Sequence, residues 1–492
     1  MTKIDFSIPQ RKDVLGVILS IGFFLRKSFE AFWAFFAYLL LNSQLDIFTD
    51  YKTYIVFFII IVMIAIHSYL SWRYFYFYIK DDEFVIEKGY LKKSITTLPL
   101  EKIISVNTNQ KLLHQLLGVV EVKVDSAGTD NKEVSISAVK RKFAMALEEA
   151  LSYASKSSIE DKEEAEVDRN CEEIISLSPS NLLKIGIARN HIYGLMLLLV
   201  FGNQIYYQIK DFFDDEIDKV LSETAYTLEH ASLMIWVSVI IFIVIGAIII
   251  SFVRTFLAYY DFKFLKVNKV FLLQSGLLKR KKITVPFSRV QAYQQSANPL
   301  QRLLKIKTVR LIQASSGNVT KDAEKVLIPG CENVQTDRIK SAIFSKKLDA
   351  GLVIKPHWAL RNRLFFEKCF LLPLLVIPAF LYPWFWVLTF IYLVCILLLS
   401  HYEYKRREYR IDNTLLHVRS GGIVHANSFI EHYKVQAVRI SQSYFQRRRN
   451  TASLHLGLAG VEVSLSYIPY ETAVKIKDFL LHEVINTKKD WI

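Results

Sequence analysis

Six apolar segments, arranged in three pairs, restrict the folds open to this 492-residue chain more than any other feature. The clearest segment runs from Ala231 to Val253 without a charged residue, and it is long enough to cross a hydrocarbon core about 30 Å thick. A long polar segment follows each pair and is too charged to lie within a bilayer. We therefore predict a multi-domain membrane protein with six transmembrane helices in three hairpins, at residues 28–72, 191–257 and 364–402.

Two of the hairpins leave alternatives open. In the third, Tyr382 and Pro383 divide two apolar stretches of roughly 18 residues, the low end of the spanning range, so a re-entrant hairpin remains an alternative. In the first, Arg26 and Lys27 separate the predicted span from an earlier apolar stretch, Val14 to Leu25. We expect that earlier stretch to lie in the membrane interface.

Positive charge predicts which side of the membrane the polar segments occupy. The chain carries a net charge of +15, and basic residues such as Arg73, Arg254 and Arg363 flank the apolar pairs on one side. The tip of the second hairpin, on the other side, is acidic. By the positive-inside rule, both termini and the three polar segments face the cytoplasm of a multi-pass cell-membrane protein. The anionic inner leaflet then accounts for the positive charge without a nucleic-acid partner.

The three polar segments carry one repeated pattern. Each contains a glycine fourteen residues before a β-branched residue that begins a strand-like run; the pairs are Gly89 with Ile103, Gly276 with Val290, and Gly421 with Val435. Glycine at a fixed place suits a hairpin turn, where a positive φ costs glycine little. Alternating runs on both sides predict antiparallel strands. Amphipathic helices are predicted to close the units, at Val139 to Tyr153, Asp337 to Phe344 and Glu471 to Ile485.

The repeat defines the domain boundaries. Module 1, module 2 and module 3 are residues 73–157, 258–346 and 403–486. The remaining segments are a juxtamembrane N-terminus at 1–27, an acidic linker with a juxtamembrane stretch at 158–190, and a second linker at 347–363.

This pattern resembles the bacterial pleckstrin-homology (PH-like) domain, and more narrowly its second, membrane-linked class. The resemblance rests on the glycine turn, the strand after it, and the sequences LLHQLLG, LQRLLK and FQRRRN that precede further strands and a helix. Two spans before such a domain, repeated three times, resemble the YdbT-type membrane proteins of Gram-positive bacteria over nearly the whole chain. The resemblance implies antiparallel β domains, each with one curved sheet or two near-orthogonal sheets capped by a C-terminal helix. It also implies a smaller PH-like membrane partner and no catalytic residue.

Three basic clusters are the candidate contacts for anionic lipid. Each lysine or arginine near an anionic leaflet contributes about 1 kcal/mol of attraction. The alternative is that outward-facing residues of a strand are simply solvated. The third cluster has Arg448 and Arg449 where the other repeats have leucines. The clusters are Lys88, Lys92 and Lys93; Lys279, Arg280, Lys281 and Lys282; and Arg447, Arg448 and Arg449.

Catalytic and metal-binding motifs are missing from the sequence. It contains no P-loop, GxSxG, kinase or dinucleotide motif, no HExxH, and no CxxC pair among its four cysteines. We therefore predict no enzyme, cofactor or metal, but a membrane-anchored PH-like scaffold or lipid-sensing protein of the bacterial cell envelope, alone or as a homo- or hetero-oligomer. The alternative function is a transporter or lipid-translocating channel with PH-like regulatory domains. An enzyme that acts on lipid headgroups ranks third.

Overall fold

The computed structural model describes residues 5–41, 51–126, 134–156, 171–212, 233–314, 325–344 and 351–486. The chain divides into two compact units. Module 1 lies entirely in unit 1 and module 3 entirely in unit 2, whereas the chain of module 2 passes from unit 2 into unit 1 and back. Unit 1 comprises Met1–Glu172 and Leu265–Val285, and unit 2 comprises Glu173–Phe264 and Pro286–Ile492.

Unit 1 begins with two long helices, α1 (Leu15–Leu41) and α2 (Tyr51–Arg73). Helix α1 is continuous through Arg26 and Lys27, where the sequence suggested a separation between an interfacial stretch and a span. Arginine and lysine are good helix formers. The Arg26 guanidinium also pairs with Glu30 one turn later, with Nε and Oε1 2.7 Å apart. The two basic residues therefore mark a charged turn within one helix rather than a break.

The N-terminal segment before α1 is part of module 1 and not only a juxtamembrane stretch. Gln10 and Phe77 exchange two backbone hydrogen bonds of 2.9 and 3.0 Å, which add a short bridge to the first strand of the module. The Phe6 side chain is buried in the core of the same module. The start of the chain thus helps to close the module that follows the first two helices.

Module 1 contains two antiparallel sheets and the predicted closing helix. Its core joins Phe77 and Phe84 of the first sheet to Val122 of the second, and Leu147 and Leu151 of the helix complete it. All five side chains are fully buried. The elements are β1 (Tyr76–Lys80), β2 (Glu83–Lys88), β3 (Ser94–Pro99), β4 (Ile103–Gln110), α3 (Leu112–Leu116), β5 (Val119–Ser126), β6 (Val134–Lys140) and α4 (Arg141–Lys156).

The second sheet of module 1 continues into module 2. The next strands along the chain are β7 (Cys171–Ser176), β8 (Lys263–Val267), β9 (Val270–Ser275) and β10 (Arg280–Pro286). Strand β10 pairs antiparallel with β4, with Lys282 opposite Thr108 and Arg280 opposite Gln110. We call this junction seam 1. It gives the strand order β6-β5-β4-β10-β9 within unit 1.

Unit 2 holds the remaining helices and strands. Up to the closing helix of module 2 they are α5 (Pro179–Ile187), α6 (Ile192–Phe212), α7 (Leu233–Tyr259), β11 (Val290–Ala297), α8 (Pro299–Leu303), β12 (Lys307–Gln313), β13 (Lys325–Cys331) and α9 (Asn333–Ile343). They continue with β14 (Leu352–Ile354), α10 (Ala359–Lys368), α11 (Leu372–Ala379), α12 (Phe385–Arg406), β15 (Glu408–Ile411), β16 (Leu415–Ser420), β17 (His425–Glu431), β18 (Ala437–Ser441), α13 (Tyr444–Arg447), β19 (Thr451–Leu458), β20 (Val461–Pro469) and α14 (Tyr470–Asn486).

Modules 2 and 3 are joined by seam 2, the antiparallel pairing of β11 with β17. Gln295 lies opposite Asn427, and Ala297 lies opposite His425. The position of each residue can be counted from the repeat glycine of its own module. By this count, the positions that face each other at seam 2 are the same as those that face each other at seam 1, so both seams use one register. The resulting sheet has the order β13-β12-β11-β17-β16-β15-β14.

Shared sheets are a departure from the expected set of self-contained domains. An unpaired edge strand exposes backbone donors and acceptors, and pairing with the next module satisfies them. Strand β14 comes from the segment 347–363, which the sequence suggested was a linker, and it adds a further strand beside β15. Two three-stranded sheets, β1-β2-β3 and β18-β19-β20, are separate from the sheets that two modules share.

The repeated glycines occupy the turn conformation that their spacing predicted. Gly89, Gly276 and Gly421 have φ values of +102°, +103° and +85°. A Cβ atom at Gly89 would collide with the carbonyl oxygen of Lys92, so any larger residue would strain the turn. The prediction of a positive φ at these positions is confirmed.

The motif after each central strand forms a one-turn helix, and in modules 2 and 3 a capping box holds this helix. In module 2, Asn298 accepts from the backbone of Gln301, whose side chain accepts from the backbone of Asn298. Ser443 and Gln446 form the same reciprocal pair in module 3. Because this arrangement satisfies helix-end donors, the repeated glutamine has a structural role.

Two helices are long and apolar enough by themselves to cross a membrane, in the segments Ile240–Tyr259 and Phe385–Arg406. A third crossing results if Pro179–Ile187 and Ile192–Val200, bent by 79°, form one broken span. Within α2, the segment Phe58–Arg73 is apolar but shorter than the first two segments. The part of the chain that the structure describes therefore supports two or three of the predicted crossings by length and composition, and six crossings are not confirmed.

Candidate functional site

The first predicted basic cluster, Lys88, Lys92 and Lys93, surrounds the glycine turn of module 1, and all three side chains are exposed. Lys93 pairs with Glu87, with Nζ and Oε2 2.8 Å apart. The Lys93 ammonium lowers the pKa of the Glu87 carboxyl, and a hydrogen bond from Tyr78 acts in the same direction. One of the three charges is therefore balanced within the module.

The second cluster follows the glycine of module 2 and enters β10 at seam 1. The Lys282 ammonium donates to Glu148 of α4 at 2.8 Å, so this residue holds the two modules together. Lys279 and Lys281 remain exposed. Burial lowers the pKa of Lys279, and the positive charges of neighbouring lysines, including Lys111, lower it further. Several cations therefore converge at this surface, and within unit 1 no described contact joins them to the first cluster.

The third cluster lies on and after α13 of module 3. Arg447, Arg448 and Arg449 are exposed. The Arg449 guanidinium lies 4.7 Å from the centre of the Trp358 ring, and Arg448 lies 5.8 Å from the centre of the Tyr444 ring. These contacts orient two of the guanidiniums over aromatic rings.

A fourth basic site, which the sequence did not reveal, lies in unit 2 across seam 2. It is a pocket of about 430 Å³ that residues of modules 2 and 3 line together. We call it the seam pocket. Its lining consists of Gln295, Ser296, Ala297, Arg302, Lys307, Arg406, His417, Arg419, His425, Asn427 and Phe429.

Strand register explains why these residues meet. Gln295 and Asn427 face each other across seam 2, and Arg419 of β16 lies opposite Asn427 on the other side. Residues two apart on a strand share one face of a sheet, which brings His425 to the same face as Asn427. The floor of the pocket is thus one face of strands from two modules, and it exists only because β11 pairs with β17.

Four permanent cations surround this floor. Arg302 comes from α8, Lys307 from the start of β12, Arg406 from the end of α12 and Arg419 from β16. Among the described lining residues there is no aspartate or glutamate. Nε and Nη1 of Arg406 are buried and have no hydrogen-bond partner in the described part of the chain. The pocket therefore presents positive charge that no lining carboxylate balances among the described residues.

The two histidines of the pocket are neutral hydrogen-bonding groups. Burial lowers the pKa of His425 to about 4, and the surrounding guanidiniums lower it in the same direction. Burial also lowers the pKa of His417 to about 4, although a hydrogen bond with Asn427 opposes the shift. Arg302 donates from Nη1 to Nε2 of His425 at 2.8 Å, which leaves the imidazole proton on Nδ1.

The sequence profile of the family described as bacterial PH domain matches residues 34–155, 220–347 and 371–484, more than half of the chain. The chain belongs to the bacterial PH domain family. Each match begins within an apolar pair and includes the module that follows. The resemblance that the repeats suggested is confirmed.

One relative is similar to this chain over most of its length. The UPF0699 transmembrane protein YdbT of Bacillus subtilis (strain 168) is 24% identical over 410 residues, which is 79% of this chain and 80% of YdbT. Together with the apolar helices, this similarity identifies a membrane-associated protein with bacterial PH domains.

Sequence reasoning found the local basic runs of the bacterial PH modules and missed the seam pocket. Arg302, Arg406 and Arg419 are far apart in the chain, and none of them stands beside its pocket partners. The only local signal is the spacing of two in His417 with Arg419 and His425 with Asn427. Among the described residues, no group of three histidines, cysteines or acidic residues is placed to hold a metal ion.

Proposed function

We propose that this chain is a membrane-anchored PH scaffold of the bacterial cell envelope that carries no catalytic activity. In this proposal, the modules contact anionic headgroups at the cytoplasmic face of the membrane. The observation that carries it is the direct passage from an apolar helix into a module. One residue separates the end of α12 at Arg406 from the start of β15 at Glu408. At no more than about 3.6 Å per residue, module 3 begins roughly 7 Å from the helix end.

Six crossings are part of this proposal. Helices α1, α2 and α6 contain 27, 23 and 21 residues, and a helix rises 1.5 Å per residue, so each reaches about 30 Å or more. In the third hairpin, α10 and α11 are separated by a 3-10 turn at Cys369–Leu371, and Pro378 lies within α11. The first half of that hairpin is therefore the proposed crossing whose helix is interrupted.

The headgroup contact is assigned to the exposed lysines at seam 1. In nanodiscs, an amine-reactive reagent should modify Lys279 and Lys281 more slowly when phosphatidylglycerol replaces part of the phosphatidylcholine. The reason is that an anionic surface attracts the ammonium groups, each by about 1 kcal/mol, and covers them. Peptide mass spectrometry measures the two rates.

Salt and orientation provide the controls for this experiment. At about 1 M salt the Debye length falls to about 3 Å, so the protection should disappear. In sealed vesicles, an impermeant reagent should reach Lys279 only when the cytoplasmic face points outward. Equal rates in both lipid mixtures would reject headgroup contact at seam 1, and labelling from the outer face would reject the orientation.

A scaffold also needs a surface for other proteins, and the ends of the module array provide one. Strand β18 corresponds to β4 and β11, the strands that pair at the seams, but it lies at the edge of the sheet β18-β19-β20. Strand β3 corresponds to β10 and β17 and lies at the edge of β1-β2-β3. If another copy paired with β18 in the register of the two seams, Ser441 would lie opposite Ser94 of its β3. We propose that a PH module of another polypeptide, a second copy or a smaller PH-like membrane protein, pairs with β18.

A photoreactive amino acid at Ser441 tests this pairing in native membranes. Illumination should join the chain to a second copy through the region of Ser94, or to a smaller protein through the strand after its own repeat glycine. The same photoreactive group at Lys475, an exposed position on α14, is the control. The absence of a specific product, or a product equally abundant from Lys475, would contradict the proposed partner surface.

A further inference from the structure

We propose that the seam pocket binds a phosphate-type anion, either the phosphate of a lipid headgroup or free phosphate. This inference deepens the proposed function, because it assigns anion recognition to a built site between modules 2 and 3. No part of the site belongs to the three basic clusters that the sequence suggested.

Charge and volume define the class of ligand. The pocket holds four permanent cations and no lining carboxylate among the described residues. A cationic ligand would therefore be repelled, and a neutral ligand would gain no attraction between opposite charges. Pockets for small molecules usually have volumes of about 300–1,000 Å³, and the volume of about 430 Å³ is in this range. Phosphate carries the multiple charges and acceptor oxygens that several convergent cations require.

The donors are directed and partly fixed. His425 holds the Arg302 guanidinium through Nη1, which leaves its other N–H groups for a ligand. The buried Nε and Nη1 of Arg406 have no described partner. The charge of this partly buried guanidinium is therefore poorly compensated, and an anion in the pocket would stabilise it electrostatically. Because His417 and His425 are neutral, they provide hydrogen bonds without adding charge.

The position of Arg406 links the pocket to the membrane. Arg406 is the last residue of α12, whose apolar length is enough to cross a bilayer. Tyr402, one turn earlier on the helix, has its hydroxyl 3.1 Å from Nε2 of His425. The pocket therefore lies at the end of the helix that leads out of the membrane, which is the depth of lipid phosphates.

Seam 1 shows that the basic pocket is not a general property of the repeat. At the positions that correspond to Arg302, Lys307 and Arg419, the preceding modules carry Gln115, Val120 and Gln274. Gln115 donates to the backbone carbonyls of Leu277 and Leu278 at 3.0 and 3.1 Å. At these three positions seam 1 thus has neutral side chains, one of which serves the junction itself, whereas seam 2 has cations.

The test measures the apparent Tm of the full-length protein in neutral detergent during two titrations. One titration uses inorganic phosphate against chloride at matched ionic strength. The other uses dihexanoyl phosphatidic acid against dihexanoyl phosphatidylcholine below their critical micelle concentrations. A ligand that binds the folded state raises Tm in a saturable way. The double variant Arg302→Gln with Arg419→Gln should weaken the apparent affinity by at least about tenfold, because charge-assisted contacts are lost.

Matched variants separate the pocket from net charge. Arg338→Gln with Lys475→Gln removes two exposed charges elsewhere in unit 2 and should respond as the wild type does. Lys307→Gln with Arg419→Gln keeps the bond between Arg302 and His425 and should lose the response. In chloride alone, both pocket variants should have a Tm equal to or above that of the wild type, because repulsion between cations is relieved.

The outcomes assign the source of the phosphate or reject the site. A response to both ligands supports a site for the phosphate group alone, and a response only to phosphatidic acid supports a lipid headgroup. No saturable response in the wild type, or an equal response in the pocket variants, would overturn the proposal. The protection of Lys279 by anionic nanodiscs is measured in unit 1, independently of the seam pocket. Headgroup contact at seam 1 can therefore be observed when the seam pocket binds no phosphate, and the seam pocket can bind phosphate when Lys279 is not protected.

Discussion

Replacing Ser428 with proline should lower the apparent Tm of the protein by about 5 °C or more. Ser428 lies in β17, opposite Gln294 of β11 on one side and opposite Val418 of β16 on the other. Proline has no N–H group and is found almost only on edge strands, because in a central strand it removes a ladder hydrogen bond. The lost bond and the ring clash together cost about 3 kcal/mol or more. A unit of roughly 300 residues loses about 1.6 °C of Tm per kcal/mol, so a cost of about 3 kcal/mol corresponds to a fall of about 5 °C.

The control for this substitution is Ser428→Thr. Threonine favours strands and keeps the backbone N–H, so its Tm should stay within about 2 °C of the wild type. Differential scanning fluorimetry in detergent measures both variants. If the proline variant kept the wild-type Tm, β17 would not be an interior strand, and the joined sheet of modules 2 and 3 would be wrong.

The sequence predicted the parts of each module better than the junctions between them. Gly89 and Gly421 could be placed because a tight turn requires a residue that tolerates positive φ, which is a local requirement. Alternation of apolar residues likewise shows which face of a strand is buried. It does not show which strand lies beside it, and for that reason seam 2 was not predicted. The strand from Leu352 to Ile354 was missed because it contains only three residues.

For the candidate site too, the sequence revealed features within one module and did not reveal features formed between modules. The contiguous basic residues from Lys279 to Lys282 attract notice in a sequence, yet Lys282 pairs with Glu148 across seam 1 in the structure. Arg302 and Arg419 come from different modules and meet only after β11 and β17 have paired. A site made by pairing between repeats has no contiguous motif, so the sequence of one repeat does not contain it.

Replacing Lys434 with methionine should destabilise the protein by about 3 kcal/mol. The Lys434 side chain is almost fully buried, and its ammonium donates to the carbonyl oxygen of Val290 at 2.7 Å. It also pairs with Glu431, with Nζ and Oε2 2.8 Å apart. Val290 begins β11, so this lysine of module 3 holds module 2. Methionine preserves the apolar length of the side chain but leaves a carbonyl and a carboxylate without their cation. Removing one partner of a buried pair costs about 3–5 kcal/mol, and partial exposure of Glu431 places the expected loss at the lower end.

A double-mutant cycle separates this pair from general damage to the core. Glu431→Gln alone should also destabilise, because it leaves the Lys434 ammonium buried without a counter-charge. In the double variant no charge is left unpaired, so it should recover at least about 1 kcal/mol relative to the sum of the single losses. At about 1.6 °C per kcal/mol, replicate thermal unfolding measurements in detergent resolve these differences. Additive losses would mean that Lys434 and Glu431 do not act as a pair, and a Lys434→Met variant as stable as the wild type would remove the proposed link between module 3 and β11.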